Sequence, residues 1–543
     1  MIHVEFKNKQ YRKYFESEDG FVTGTAFTKN GQMLSGEALM NYLASFDTPE
    51  NLAHNLPDLN GFYAFAVRQG CCLIAAVDRI RSIPLFYGQK GNDFFISDSA
   101  EWVRSQVGDD KIDPLAKEEF LVCGYVTGPD TLFHKVKQIQ AGELLEFQSS
   151  GNPASVKTHR YYRYVHRYPE QNVPTEKLLQ SHEEMMERVI DRLIRFADGR
   201  NIVIPLSGGY DSRLITLMLK KRGYSDLIAF SYGRPGNHEA EVSKQVAESL
   251  GVRWEFVEYS NELWREWYES PEMKEYFNMA GNLASLPHIQ DWPAVWVLQK
   301  EGRVPINSIF VPGHSADLPA GSRSKSVPDL YLGKKSTERL IEAIIGYHYN
   351  LIDWSKKKRN LLPFFEKKIL EVLGDLDKYP DQSSAFESWD ISERQPKFIV
   401  NSLRVYEFFG YEWWIPFWDK EFMDYWCRIS PENRLNQSLY KRYVDDLAKR
   451  QGLEIKEKDS IYPFIRGRLV SIAKRLLPKK IRRFLPKKVF EKRIETHPLT
   501  MLGRFPKEEA LSLLSQGYSS NGISAFYQLQ KIEEEFRKGT EKG

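Results

Sequence analysis

The sequence predicts two folded domains of different class. The first is an α+β domain of layered antiparallel sheets, and the second an α/β domain with an open parallel sheet. Three observations carry this. Short β-like runs separated by turn residues crowd residues 1–165, and apolar strands alternate with helical patterns over 170–460. Within the second of these, the β-branched run Ile202-Val-Ile204 enters a Ser-Gly-Gly turn and then an amphipathic helix. A chain of 543 residues, 42% apolar and 27% charged, has the length for at least two cores and the composition of a soluble globular protein. No apolar run reaches about 18 residues, so no spanning helix is expected.

In the N-terminal part the β-like runs are Phe21–Phe27, Gly61–Val67, Cys72–Val77, Pro84–Tyr87 and Phe94–Ser97, spaced as hairpins. The first residues, Met1 to Lys7, hold no apolar signal-peptide core, and a cytoplasmic protein is expected. Cys71, Cys72, Cys123 and Cys427 show no metal-ligand spacing and read as reduced structural thiols.

Residues 169–174 read as a linker, and a helical pattern runs from Thr175 to Phe196. Beyond Ile204 the string Pro205-Leu-Ser-Gly-Gly-Tyr210 leads into an amphipathic helix that Asp211 and Ser212 open. Adjacent glycines leave backbone N–H groups uncovered, and a helix N-terminus adds the positive end of its dipole. Strand, turn and helix together make a phosphate cradle, and Asp211 inside it suits a Mg²⁺ ligand on the phosphates. The alternative is an ordinary turn with an N-cap Asp. Leu227–Tyr232 and Trp254–Val257 read as further parallel strands, with Glu239–Leu250 a helix between them. The apolar run at Ile309 leads into a second small-residue loop, Gly313-His-Ser-Ala-Asp317, which carries one carboxylate.

Ser207-Gly-Gly-Tyr-Asp-Ser212 resembles the pyrophosphate loop of the ATP pyrophosphatases; no Lys follows the glycines as in a Walker A loop. Four strings resemble the glutaminase domain of the asparagine synthetase family: Leu59–Ala66, Asp78–Tyr87, Phe120–Phe133 and Gln140–Leu144. The resemblance implies a nucleophilic Cys at position 2, where Ile2 stands. It therefore implies a glutaminase scaffold without glutaminase activity. In the second domain it implies that ATP lies on Leu206, Ser207, Gly208, Gly209, Asp211, Ser212, Tyr232 and Gly313, and that Asp211 and Asp317 hold Mg²⁺. His314 stands where asparagine-forming members carry Glu, and neutral imidazole suits a base for the attacking nitrogen. A His that only hydrogen-bonds its loop is the alternative. Glu454–Phe464 resembles the segment whose Lys stabilises the acyl-adenylate; Lys458 is the first choice and Lys456 the second. Tyr411–Asp419 resembles a further family segment, with Trp414 in place of Arg, and reads as structural.

Residues 461–543 form a basic C-terminal extension. Its stretch 466–493 carries about a dozen Lys/Arg and one Glu, which leaves roughly −8 for the rest of a chain of net +3. An anionic membrane surface is one partner for it, giving a peripheral location at the inner membrane; a solvated face packed on the protein is the other reading. No nucleic-acid binding is expected, since Phe484 and Phe490 are its only stacking aromatics. A homodimer is compatible with the sequence.

These readings converge on an ATP-dependent ligase that adenylates a carboxylate and passes ammonia or an amine to it. The acid envisaged is a sugar uronic acid of surface-polysaccharide synthesis, carrier-linked or free. The rivals are asparagine synthesis from ammonia, intramolecular β-lactam or lasso-type cyclisation, and a non-catalytic nucleotide-binding scaffold.

Overall fold

The computed structural model describes residues 1–69, 72–148, 155–169, 173–453, 491–492, 494–495 and 497–540. The N-terminal domain has strands β1 (Ile2–Glu5), β2 (Tyr14–Ser17), β3 (Gly20–Phe27), β4 (Met33–Ser35), β5 (Asn60–Gln69), β6 (Cys72–Val77), β7 (Phe86–Lys90), β8 (Asp93–Ser97), β9 (Lys137–Gln138), β10 (Glu143–Gln148) and β11 (Ser155–Arg160). One sheet runs β11-β10-β6-β5-β3-β2, with β4 added to β3, and every pairing is antiparallel. The other runs β1-β8-β7-β9, and here β1 lies parallel to β8. No hairpin constrains that pair, because the strands are far apart in sequence.

The pleat of β5 explains its unbroken apolar run. Phe62, Ala64 and Ala66 point into the large core, while Tyr63, Phe65 and Val67 point under the helices Gly36–Ala44 and Pro49–Asn55. Both faces are buried. Between the two sheets, Phe94 and Phe147 stack at 4.3 Å. The strand expected from Pro84 begins only at Phe86, since proline has no N–H to give a ladder.

The C-terminal domain has a wholly parallel sheet ordered β14-β13-β12-β15-β16. Its strands are β12 (Ile202–Pro205), β13 (Leu227–Gly233), β14 (Arg253–Glu258), β15 (Ile309–Phe310) and β16 (Glu412–Trp413). Ile202, Val203 and Ile204 have no solvent exposure, as a central parallel strand requires. Helices Thr175–Ala197, Tyr210–Lys221 and Ser438–Arg450 pack on one another beside the sheet. The sheet order places the exits of β12 and β15 side by side, so two loops 106 residues apart in sequence meet.

A helical layer carries a feature that periodicity did not show. Every residue of the helix Gln382–Ser392 is buried, including Glu387 and Asp390. Glu387 accepts two bonds from Arg434 Nη1 at 2.8 and 2.7 Å, faces His166 Nε2 at 2.7 Å, and takes the Tyr331 hydroxyl. Asp390 is paired with Arg323 at 2.8 Å. Buried charges persist only when matched in this way.

The two domains share a continuous core. Trp414, where the family pattern has Arg, is buried against Phe62 at 4.7 Å, Phe27 at 5.9 Å and Phe196 at 4.6 Å. Asp419 caps the helix Lys420–Trp426 and binds Arg192, which fits a structural segment. Lys397, fully buried, donates to Val126 O at 2.9 Å and Gly128 O at 2.7 Å of the first domain.

Of the C-terminal extension, the helices Lys507–Ser515 and Ser520–Thr540 are described. The longer one packs on the helix Pro114–Cys123, with Phe536 edge-on to Phe133 at 5.0 Å. Lys456, Lys458 and nearly all of the basic stretch 466–493 lie outside the described residues. Among the described residues, no helix is long and apolar enough to cross a membrane.

Candidate functional site

The site lies where β12 and β15 end. β12 hands over through Leu206, whose N–H bonds Phe230 O at 2.9 Å, to the Ser207 turn. Ser207 N donates to Ser212 Oγ at 3.1 Å, and Gly209 N donates to Ser207 Oγ at 3.2 Å, so the turn closes on the helix it precedes. Gly209 is the cap of helix Tyr210–Lys221 and supplies no side-chain acceptor. The cap therefore brings no side-chain oxygen to the positive end of the helix, where an anion is favoured. Arg213 Nη2 holds Gly208 O at 3.0 Å from beneath.

The second loop packs directly on this turn. A Cβ at Gly313 would lie 2.6 Å from Ser212 N and 3.0 Å from the Asp211 carbonyl carbon, so only glycine fits. Four residues on, the Asp317 N–H donates to Asp211 Oδ2 at 3.3 Å. Tyr440, from helix Ser438–Arg450, donates its hydroxyl to Asp211 Oδ1 at 2.8 Å. Asp211 is thus fixed from two directions. Burial, and then the facing Asp317 charge, push its carboxyl well above the ordinary range. Asp211 and Asp317, carried to one end of the sheet beside this turn, suit a hard divalent cation, whose remaining ligands would be phosphate and water oxygens. Among the described residues no third His, Cys, Asp or Glu joins them.

The Asp317 loop is itself pinned. Ser315, in a left-handed conformation at φ +69, donates to Gln395 Oε1 at 2.5 Å. Arg434 donates to Pro319 O at 3.4 Å, and a Cβ at Gly321 would lie 2.2 Å from Arg434 O. The buried Glu387–Arg434 pair thereby sets the loop's height above the sheet.

His314 faces Ser402 Oγ at 3.4 Å through Nε2, while its Nδ1 is buried with no hydrogen-bond partner. Burial, with His288 adding to it, pushes its pKa down to about 4, so the ring is neutral at pH 7. Tyr232 lies with its ring stacked on Tyr259 at 5.1 Å. The following Gly233 is covered by Pro498 and Leu499, and Pro498 O takes the Arg234 N–H at 2.9 Å. Of the sequence-derived site residues, Leu206, Ser207, Gly208, Gly209, Asp211, Ser212, Gly313 and Asp317 are brought together; Tyr232 sits at the neighbouring strand end. Sequence reading missed Tyr440, Arg434 and the covering segment at Pro498, because their contacts span long separations without a local pattern.

The comparisons agree with this two-part layout. Residues 48–162 match the model of the glutamine amidotransferase domain, and residues 192–282 match that of asparagine synthase. Asp317 and His314 fall beyond the second match. Over 199 residues the chain is 25% identical to asparagine synthetase [glutamine-hydrolyzing] 1 of Bacillus subtilis (strain 168). That alignment spans 36% of this chain and 30% of the relative. The glutamine PRPP amidotransferase of B. subtilis is similar at 14% identity, over 46% of this chain and 72% of its own, with a TM-score of 0.20. The NH3-dependent NAD synthetase of Campylobacter jejuni is similar at 13% identity, over 38% and 90%, with a TM-score of 0.19. TM-scores this low carry no argument about this chain. The two domain matches and the curated relative support an asparagine synthetase-like family.

Proposed function

We propose that the protein is an ATP-dependent amide-forming ligase. A substrate carboxylate attacks the α-phosphate of ATP and releases PPi; ammonia or an amine then attacks the acyl-adenylate, giving an amide and AMP. The observation that carries this reading is the Asp317 N–H bound to the Asp211 carboxylate at 3.3 Å, beside a helix start whose cap is a glycine. Asp211 and Asp317 would hold Mg²⁺, which when bound offsets the charge on the phosphates. The Ser207–Ser212 turn offers its backbone N–H groups to the departing PPi. His314, neutral and beside the Asp317 loop, takes the proton from the attacking nitrogen. Lys458 is the proposed cation for the acyl-adenylate.

The N-terminal domain is proposed to lack glutaminase chemistry. Ile2 of β1 pairs with Phe94 of β8, and its side chain offers no nucleophile. Burial pushes the Cys123 thiol far up and the Cys427 thiol to about 12, so neither is a ready thiolate. The acid is proposed to be a sugar uronic acid, free or carrier-linked. The test is AMP formation from Mg·ATP with ammonia or glutamine across a panel of uronic acids and aspartate. Ammonia-dependent AMP with a uronic acid supports the reading. AMP with aspartate alone would replace the uronic acid by asparagine synthesis.

A further inference from the structure

Asp291 sits at the head of the helix Trp292–Lys300 yet makes no cap bond to it. Its Oδ2 accepts the Tyr406 hydroxyl at 2.6 Å, whereas its Oδ1 is buried with no hydrogen-bond partner. The nearest basic atom is His288 Nδ1, 3.8 Å from Oδ1, and no Lys or Arg pairs with Asp291 among the described residues. An acceptor left bare inside a protein is costly, which points to a group that completes it.

The surroundings define that group. Burial works against ionisation of Asp291, but His288 and the Tyr406 hydroxyl hold it below the usual carboxylate range, so it is an anion at pH 7. Three tyrosine hydroxyls converge on residues 288–291: Tyr406 donates to Asp291 itself, Tyr259 to Gln290 O at 2.9 Å and Tyr276 to His288 O. A bare, buried carboxylate oxygen is the partner of a protonated amine, through charge pairing and a charge-assisted hydrogen bond. A neutral hydroxyl would leave the anion uncompensated.

This centre adjoins the ligase site. Ser402, which faces His314, and Tyr406, which binds Asp291, stand one helical turn apart on consecutive helical segments. The Asp291 charge also acts on His314.

We propose that Asp291 binds a protonated amine of a substrate and presents it beside His314. The amine belongs either to the nitrogen nucleophile or to an amino group on the acid. Its role in amide formation rests on the ligase reading; the binding itself does not.

The experiment titrates methylammonium chloride into the full-length protein, followed by intrinsic fluorescence, with sodium chloride at equal ionic strength as control. Saturable, amine-specific binding in the wild type, weakened at least tenfold in Asp291→Asn with ATP binding unchanged, is expected. Absence of that saturation, or equal binding in Asp291→Asn, overturns the proposal. If Asp291→Asn does not fold, Tyr406→Phe serves: stripping the carboxylate of its one donor should tighten methylammonium severalfold, and unchanged binding overturns the proposal. ATP–PPi exchange then locates the amine. Loss of exchange in Asp291→Asn puts it on the acid; retained exchange with lost amide formation puts it on the nucleophile. Saturable amine binding without wild-type exchange would count against the ligase reading alone.

Discussion

The Asp317 amide donates to Asp211 Oδ2 at 3.3 Å, so one carboxylate is positioned by the backbone that carries the other. The two acids are close by construction, and without a cation their proximity works against the fold. Because the folded state keeps the Asp211 proton above the ordinary carboxylate range, it binds more protons than the unfolded chain as pH rises from about 4 toward neutrality. Its contribution to stability therefore falls across that window. Asp211→Asn should melt higher than the wild type at pH 8, with the gap closing toward pH 4, while forming no AMP. Calorimetric scans across pH check this; a lower melting point at pH 8 would contradict it.

Gly313→Ala pushes a methyl group onto the Ser212 amide, and the obstacle is backbone. Overpacking of this kind costs about 1–3 kcal/mol. A displacement near 1 Å between the two loops should cut turnover by about 10²-fold. Urea titration and AMP release measure the two effects separately.

Arg434→Met leaves Glu387 buried with His166 and Tyr331 alone. The loss should be about 3–5 kcal/mol, as for other broken buried pairs. Because Arg434 also bears on Gly321, surviving folded protein should bind Mg·ATP more weakly. Denaturant unfolding with and without Mg·ATP reads both.

With His314 driven to about 4, its neutral form persists through mildly acid conditions. The His314-dependent limb of amide formation should be flat from pH 8 down to about 5 and fall only below. His314→Gln should keep ATP–PPi exchange and lose about 10²–10⁴-fold in amide formation. Equal loss of both would make the ring a structural element of its loop.

The fold was legible wherever a run of side chains answered one local demand. Ile202–Ile204 and β5 announce themselves as unbroken apolar runs buried on both faces, and the helix from Thr175 through its period. Within the site, the Ser207–Ser212 turn and Asp317 were legible because glycine and carboxylate recur at strand ends for a chemical reason. Tyr440 and Arg434 were not. Each reads locally as an ordinary helical residue, and each gains its role from a partner far away in sequence: Asp211 lies 229 positions from Tyr440 and Glu387 lies 47 from Arg434. The fully buried helix Gln382–Ser392 was hidden for a related reason, since its polar residues suggest a surface until their cations arrive from other elements. Asp291 is marked only in the fold, by its unpaired oxygen and by the Tyr406 hydroxyl on the other.

The most direct test of the central claim is release of AMP and PPi from Mg·ATP with ammonia and a panel of carboxylic acids, in wild type and Asp211→Ala. The account predicts acid- and ammonia-dependent AMP in the wild type and none in the variant. ADP in place of AMP, or AMP formation unaffected by Asp211→Ala, would contradict it.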